Sequence, residues 1–200
     1  MAIKPILMNT EMVRTILDGR KTCTRRLPRK QIEEKYIEYE EWVCAVAPPG
    51  STLLREKEFY EEYPPYMPGD ILYIRETWGE WTGGYLHKAW TEPFPQAGAL
   101  PGVKWSPSIH MPKDAARIWL KVTDVRVERL QDITSEQIYR EGTEVEEPFI
   151  LNGEEKRYAF SVLWNSTIKK SDLDRYGWAA NPFVWVIEFE PCEKPEEVRR

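Results

Sequence analysis

The sequence is poor in the residues that build metal and disulfide sites: 200 residues hold three cysteines and two histidines. Cys23, Cys44 and Cys192 are odd in number and lack C-x-x-C spacing. That argues against a disulfide framework or structural zinc, and for a reducing compartment. His87 and His110 cannot by themselves make a histidine-rich metal site, so no metal and no cofactor is expected. No apolar run approaches the ~20 residues of a membrane helix. The opening MAIKPILMNTEM lacks the apolar stretch of a secretory signal. The expectation is a cytoplasmic protein with no membrane partner. There is no internal repeat.

Aromatic residues, by contrast, are abundant, with nine Trp and ten Tyr. Their large flat surfaces fill cores and also stack on bases. The net charge of −5 is unevenly spread. Arg14, Arg20, Lys21, Arg25, Arg26, Arg29 and Lys30 face one acid, Asp18, so the segment 14–30 carries +6 and the remainder −11. Such a cluster reads either as a solvated face or as a phosphate-binding patch.

Period and punctuation predict a strand at Lys4–Met8, then a helix capped by Asn9 or Thr10 with Met12, Val13, Ile16 and Leu17 on one face, closed by Gly19. Ile32, Tyr36 and Tyr39 suggest a solvent-facing helix over Gln31–Trp42. Residues 47–68 read as irregular. Pro68-Gly69-Asp70 turns into a strand at Ile71–Glu76, and Thr77–Pro112 reads as a long aromatic insertion of little periodicity. Ala116–Arg129 is the longest strand, with a phase slip near Thr123–Asp124 that suggests a bulge. Thr134-x-x-Gln137 is a capping box, Tyr158–Ile168 a helix with Phe160, Leu163, Trp164 and Thr167 inward, and Phe183–Glu190 a strand of period two. Strands and helices without a βαβ rhythm give an α+β class and a small mixed barrel. The expected domain runs over 1–192, with insertions at about 31–67 and 79–112 and a charged tail at 193–200.

Gly19-Arg20-Lys21-Thr22-Cys23-Thr24-Arg25-Arg26 follows the first helix. It resembles the G-x-K-T-x-T-x-R signature of the ASCH family, relatives of the PUA fold. ILYIRETW at 71–78, WSPSIHMP at 105–112 and NPFVWVIEFE at 181–190 are similar to longer ASCH proteins of bacterial prophages. The resemblance implies a PUA-like mixed β-barrel with short flanking helices and two long insertions. Within the family a small amidohydrolase removes acyl groups from the exocyclic nitrogen of cytidine nucleosides. Its lysine, threonine and glutamate match Lys21, Thr24 and Glu141. Other members are RNA-binding modules, and one branch is a ribonuclease. The resemblance therefore implies RNA or a modified nucleoside as partner.

A threonine hydroxyl attacks well only when a base takes its proton. A lysine serves as that base once burial and neighbouring cations disfavour its charge. Glu141 would shuttle the proton or orient the lysine. In the alternative, Lys21 and Arg25 bind phosphate while Thr22 and Thr24 bond the loop backbone. Arg20, Thr22, Arg25, Arg26, Glu76 and Trp78 are the candidate binding residues. Glu76 is expected either to pair with Arg25 or Arg26 or to form a surface ion pair. Trp78 and Trp81 either stack a base or pack in the core. His110 is a weak candidate base, Asn181 shapes a turn, and Cys23 is the one thiol with cationic neighbours. A nuclease would need acids such as Asp70, Glu76 and Glu141 to come together. An aromatic surface for another protein is a third reading.

Overall fold

The computed structural model describes residues 1–28, 36–39, 42–45, 54–90, 102–143 and 153–196. Ten strands and five α-helices run through them: β1 (Ile3–Leu7), α1 (Thr10–Leu17), β2 (Cys23–Arg26), β3 (Tyr36–Tyr39), β4 (Trp42–Ala45), β5 (Leu54–Arg55), α2 (Glu56–Glu62), β6 (Ile71–Arg75), β7 (Trp78–Trp81), β8 (Gly84–His87), β9 (Trp119–Arg129), α3 (Ser135–Arg140), α4 (Gly153–Thr167), α5 (Leu173–Tyr176) and β10 (Phe183–Cys192). The class is α+β, as expected. The largest sheet has the order β1-β6-β9-β10-β2, with β1 parallel to β6 and antiparallel pairing for β6 with β9 and for β10 with β2. Among the described residues this order is open, with no closed barrel. No described helix is long and apolar enough to cross a membrane.

The chain gathers into two compact units, Met1–Thr22 with Pro68–Thr123 and Phe189–Arg200, and Cys23–Met67 with Asp124–Glu188. In the first unit, Asp70 is buried and ties down the start of the chain. Its oxygens accept from the Ala2 amide at 2.8 Å and from Lys4 Nζ at 2.9 Å. Asn9 Oδ1 caps α1 by accepting the Met12 amide at 2.8 Å, and Gly19 leaves the helix at φ +74°. Val13, Thr15 and Ile16 are buried, whereas Leu17, expected inside, is 49% exposed. Thr15 can be buried because its hydroxyl donates to the Met12 carbonyl at 2.9 Å. Its own carbonyl accepts the amides of Arg20 and Lys21 at 3.0 and 2.9 Å, turning the chain into the signature loop. Ile71, Trp78, Met111, Ala115, Ala116 and Trp119 form one buried apolar cluster of this unit.

The aromatic insertion contains a hairpin that the sequence reading missed. β7 and β8 pair from Trp78↔His87 to Trp81↔Gly84 around Thr82-Gly83, both at positive φ (39° and 81°). A two-residue turn with two positive φ angles matches the right-handed strand twist.

In the second unit, Leu130, Ile133, Ile138, Phe160, Trp164, Ile168, Val184 and Val186 make the core. The Thr134/Gln137 capping box is present in full. Thr167, expected inward, turns its hydroxyl back to the Trp164 carbonyl at 2.8 Å, and the buried apolar residue there is Ile168, just past the end of α4. Asn181 holds φ +46° while its Oδ1 accepts the Gln131 amide at 2.8 Å, the turn-shaping role expected of it. Three expectations are corrected. Tyr36–Tyr39 is a strand paired with β4, not part of a helix, since Tyr-Ile-x-Tyr and Trp-Val-Cys carry aromatic and β-branched residues that prefer a pleated surface. Glu56–Glu62, expected as irregular, is helical. β10 continues to Cys192, two residues beyond the expected end. The expected helical positions 31–35 and the segment 46–53 lie outside the described residues.

Phe160 is 3% exposed on α4 and Val162 is 53% exposed two residues on. Phe160→Ala is expected to cost about 3–5 kcal/mol through lost burial and a cavity. Val162→Ala should change stability by no more than ~0.5 kcal/mol. Urea unfolding of both variants checks the inward face.

Candidate functional site

β2 continues the signature loop, and its pairing with β10 fixes it, Thr24 opposite Ile187 and Arg25 opposite Val186. Alternation on a paired strand would normally expose every second side chain. Here Cys23, Thr24 and Arg25 are all buried and only Arg26 is half-buried. Burying an arginine is costly unless acceptors surround it. Arg25, whose side chain has 0% exposure, has three. Its Nη1 donates to Glu141 Oε1 at 3.1 Å, and its Nη2 donates to Glu128 Oε2 at 3.1 Å and Gln137 Oε1 at 3.0 Å.

The network continues outward. Arg126 donates through Nε to Glu128 Oε1 at 2.6 Å, and through Nη1 to Asp124 Oδ2 at 2.8 Å and Glu188 Oε1 at 2.7 Å. Arg140 Nη2 donates to Glu188 Oε2 at 2.8 Å. Glu128 and Glu188 thus each bridge two arginines. Burial alone would lower the Arg126 pKa, but its hydrogen bonds to Glu128, Asp124 and Glu188 outweigh that and raise it. Burial alone would raise the Glu188 pKa, and the bonds from Arg126 and Arg140 more than reverse the effect, leaving it below the usual carboxylate value. Among the described residues three arginines meet four carboxylates here, with no surplus positive charge.

The sequence-predicted residues are placed as follows. Lys21, in the first unit, is 2% exposed; Thr24 and Glu141, in the second, are 2% and 7% exposed. Glu141 ends α3, its amide donating to the Gln137 carbonyl at 2.8 Å before Gly142 turns at φ +75°. Arg20 pairs with Asp18 at 3.2 Å and Arg14 with Glu11 at 3.1 Å. The Thr22 carbonyl accepts the Phe189 amide at 2.9 Å. Tyr66 has its pKa raised by burial, an effect partly opposed by the Arg26 charge. Arg29 and Lys30 lie outside the described residues.

Glu76 does not pair with Arg25 or Arg26. Both its oxygens are taken by Arg117, whose Nε and Nη2 donate at 2.9 and 3.1 Å. The reason is register, since Glu76 directly follows β6 in the first unit, where Arg117 lies two residues before β9. Trp78 packs in that unit's core with Nε1 lacking a partner, and Trp81 is exposed. His87 is buried with Nε2 2.8 Å from the Ala115 carbonyl, so Nε2 carries the hydrogen, and burial lowers its pKa. His110 is exposed on a single 3₁₀ turn. No three His, Cys, Asp or Glu side chains among the described residues could hold a metal ion.

The network members Asp124, Arg126, Glu128, Gln137, Arg140 and Glu188 escaped the sequence reading. One signal was available, the D-V-R-V-E alternation at 124–128, which puts three opposite-sign side chains on one strand face. Buried polar atoms with no partner also mark this unit, namely Arg25 Nε and Thr143 Oγ1. Such atoms are rare in native structures and ask for an explanation.

Because the folded pKa of Glu188 is depressed, it binds fewer protons than it would in the unfolded chain. Its stabilisation is full above the unfolded carboxylate value and is lost as pH falls through the folded one. The stability gap between wild type and Glu188→Gln should therefore be widest near neutral pH and narrow steadily below pH about 4.5. Urea midpoints measured from pH 7 to pH 3 check it; a gap independent of pH would contradict the ion pairing.

No family model matches the sequence, and no curated protein matches it. Among solved structures the chain is similar to the crystal structure of the hypothetical protein PH0355, 17% identical, TM-score 0.37, covering 96% of this chain and 100% of that one. It is also similar to the ASCH domain from Lactobacillus crispatus, 11% identical, TM-score 0.39, covering 95% of this chain and 79% of that one. At these scores and identities the likenesses locate no residue of the site.

Proposed function

We propose that this chain is an ASCH-type protein that takes a modified nucleoside as its ligand and hydrolyses the amide on the exocyclic nitrogen of an acylated cytidine. The observation that carries this reading is burial. Lys21, Thr24 and Glu141 are all under 10% exposed, positions that apolar residues usually fill. A polar group kept there at a cost in desolvation suits a small enclosed substrate better than a solvated phosphate backbone. In this reaction a base takes the proton of the Thr24 hydroxyl, the role the family resemblance implies for Lys21, and Thr24 Oγ1 attacks the acyl carbon. The exocyclic nitrogen leaves as the amine after gaining that proton, and water then releases the acyl group as a carboxylic acid. Glu141, already an acceptor toward Arg25, accepts a hydrogen bond from the N–H of the leaving nitrogen, which keeps its proton, and orients it.

Plain RNA binding is favoured by one feature, the +6 balance of residues 14–30. Burial of Lys21 and Arg25 and the pairing of Arg14 and Arg20 withdraw four of those seven cations. Any affinity for single-stranded RNA is expected to show a slope of log K against log salt no steeper than about −2, where a fully available patch of seven would give about −5. Titrations from 50 to 300 mM salt decide between the two.

The enzymatic reading is tested with pure protein and N4-acetylcytidine, following cytidine release. Lys21→Ala and Thr24→Ala should each lower kcat/KM by about 10²-fold or more. Turnover that survives both substitutions removes these residues from the reaction.

A further inference from the structure

We infer that Arg25 is a positioning residue for Glu141, because a single buried guanidinium holds the two ends of the helix that carries that carboxylate. α3 is six residues long, well below the ~12 residues at which a helix in water becomes even marginally stable by itself. Its geometry must be imposed from outside. Arg25 supplies the constraint at both ends. Nη2 donates to Gln137 Oε1 in the first turn, the same oxygen that accepts the Thr134 amide in the capping box at 2.9 Å. Nη1 donates to Oε1 of Glu141, the residue that closes the helix. The guanidinium is itself fixed from behind by Glu128 on β9, and its backbone by pairing with Val186 on β10.

A planar fork with donors at fixed angles can serve three acceptors in one arrangement; an ammonium on a flexible stem cannot hold the same geometry. Arg25 stands at a position the G-x-K-T-x-T-x-R pattern leaves open, since that pattern's arginine falls on Arg26. The assignment therefore comes from these contacts and not from the resemblance. The purpose of the placement rests on the amidohydrolase reading, whereas the placement itself does not.

Four full-length variants test it: Arg25→Met, Arg25→Lys, Glu141→Gln and the double variant R25M/E141Q. Hydrogen exchange is read at three amides that donate to carbonyls of α3 and its caps, those of Ile138, Glu141 and Gly142, called the α3 amides below, with Val122 of β9 as internal control. Loss of the clamp should speed exchange at the three α3 amides about 10-fold or more, with Val122 unchanged. Arg25→Lys, which keeps the charge, serves if Arg25→Met does not fold, and should show the same local loosening to a smaller degree. In turnover of acetylcytidine, Arg25→Met should lower kcat about 10- to 100-fold with KM within about twofold, and R25M/E141Q should be no slower than E141Q alone. Unchanged α3 exchange in both Arg25 variants overturns the inference, as do losses from Arg25→Met and Glu141→Gln that multiply in the double variant. Wild type that releases no cytidine while its α3 loosens on substitution supports the clamp and refutes the proposed reaction.

Discussion

A guanidinium with no exposed surface dictates much of what surrounds it. Arg25 lies on β2 and is fully withdrawn from water. Leaving such a charge without acceptors costs several kcal/mol, and removing one partner of a buried pair typically costs about 3–5 kcal/mol. The fold answers with Glu128 from β9 and with Gln137 and Glu141 from α3. Those three contacts span 103, 112 and 116 residues of sequence. One side chain thereby sets the place of a strand and of a short helix that could not hold its own shape. It also fixes the oxygen Oε1 of Glu141, on which the proposed chemistry depends.

The same interaction changes the meaning of the basic segment. Read as charge alone, residues 14–30 are a strongly cationic stretch. In the structure part of that charge is consumed locally, Arg14 by Glu11, Arg20 by Asp18, and Arg25 by two carboxylates. From Arg25 the alternation of sign runs on through Glu128, Arg126, Glu188 and Arg140 toward solvent. A network in which carboxylates bridge successive arginines is stiff and near neutral. It offers little to a polyanion.

Local signals in the sequence read through to the structure; long-range ones did not. The Asn9 cap, the Thr134/Gln137 box and the Gly19 exit all appear, because each depends on residues within a few positions of one another. Tyr36–Tyr39 was misread as helical because its spacing fits both periods over so short a run. The β7–β8 hairpin was missed because Thr82 occupies a positive-φ position where Asn or Gly is the usual signal. For the site, the signature loop marked Lys21, Thr24 and Arg25 from their neighbours in the chain. What it could not tell was that Arg25 points inward, since its acceptors arrive from two distant elements. Glu76 shows the same limit. Its partner Arg117 was invisible until strand register placed it.

The first unit has a comparable buried pair in Glu76 and Arg117, but there the carboxylate is the buried member and both of its oxygens are taken by one guanidinium. In the second unit the arginine is the buried member and its hydrogen bonds are shared among three residues. That sharing is what makes Arg25 a positioning element. The most direct test is nitrogen-15 NMR of the arginine side chains in the full-length protein. The clamp predicts that the two Nη groups of Arg25 give separate, slowly exchanging proton signals, because hydrogen bonds to Glu141, Glu128 and Gln137 block rotation about the Cζ–N bonds. A single averaged signal exchanging as fast as those of exposed arginines would contradict it.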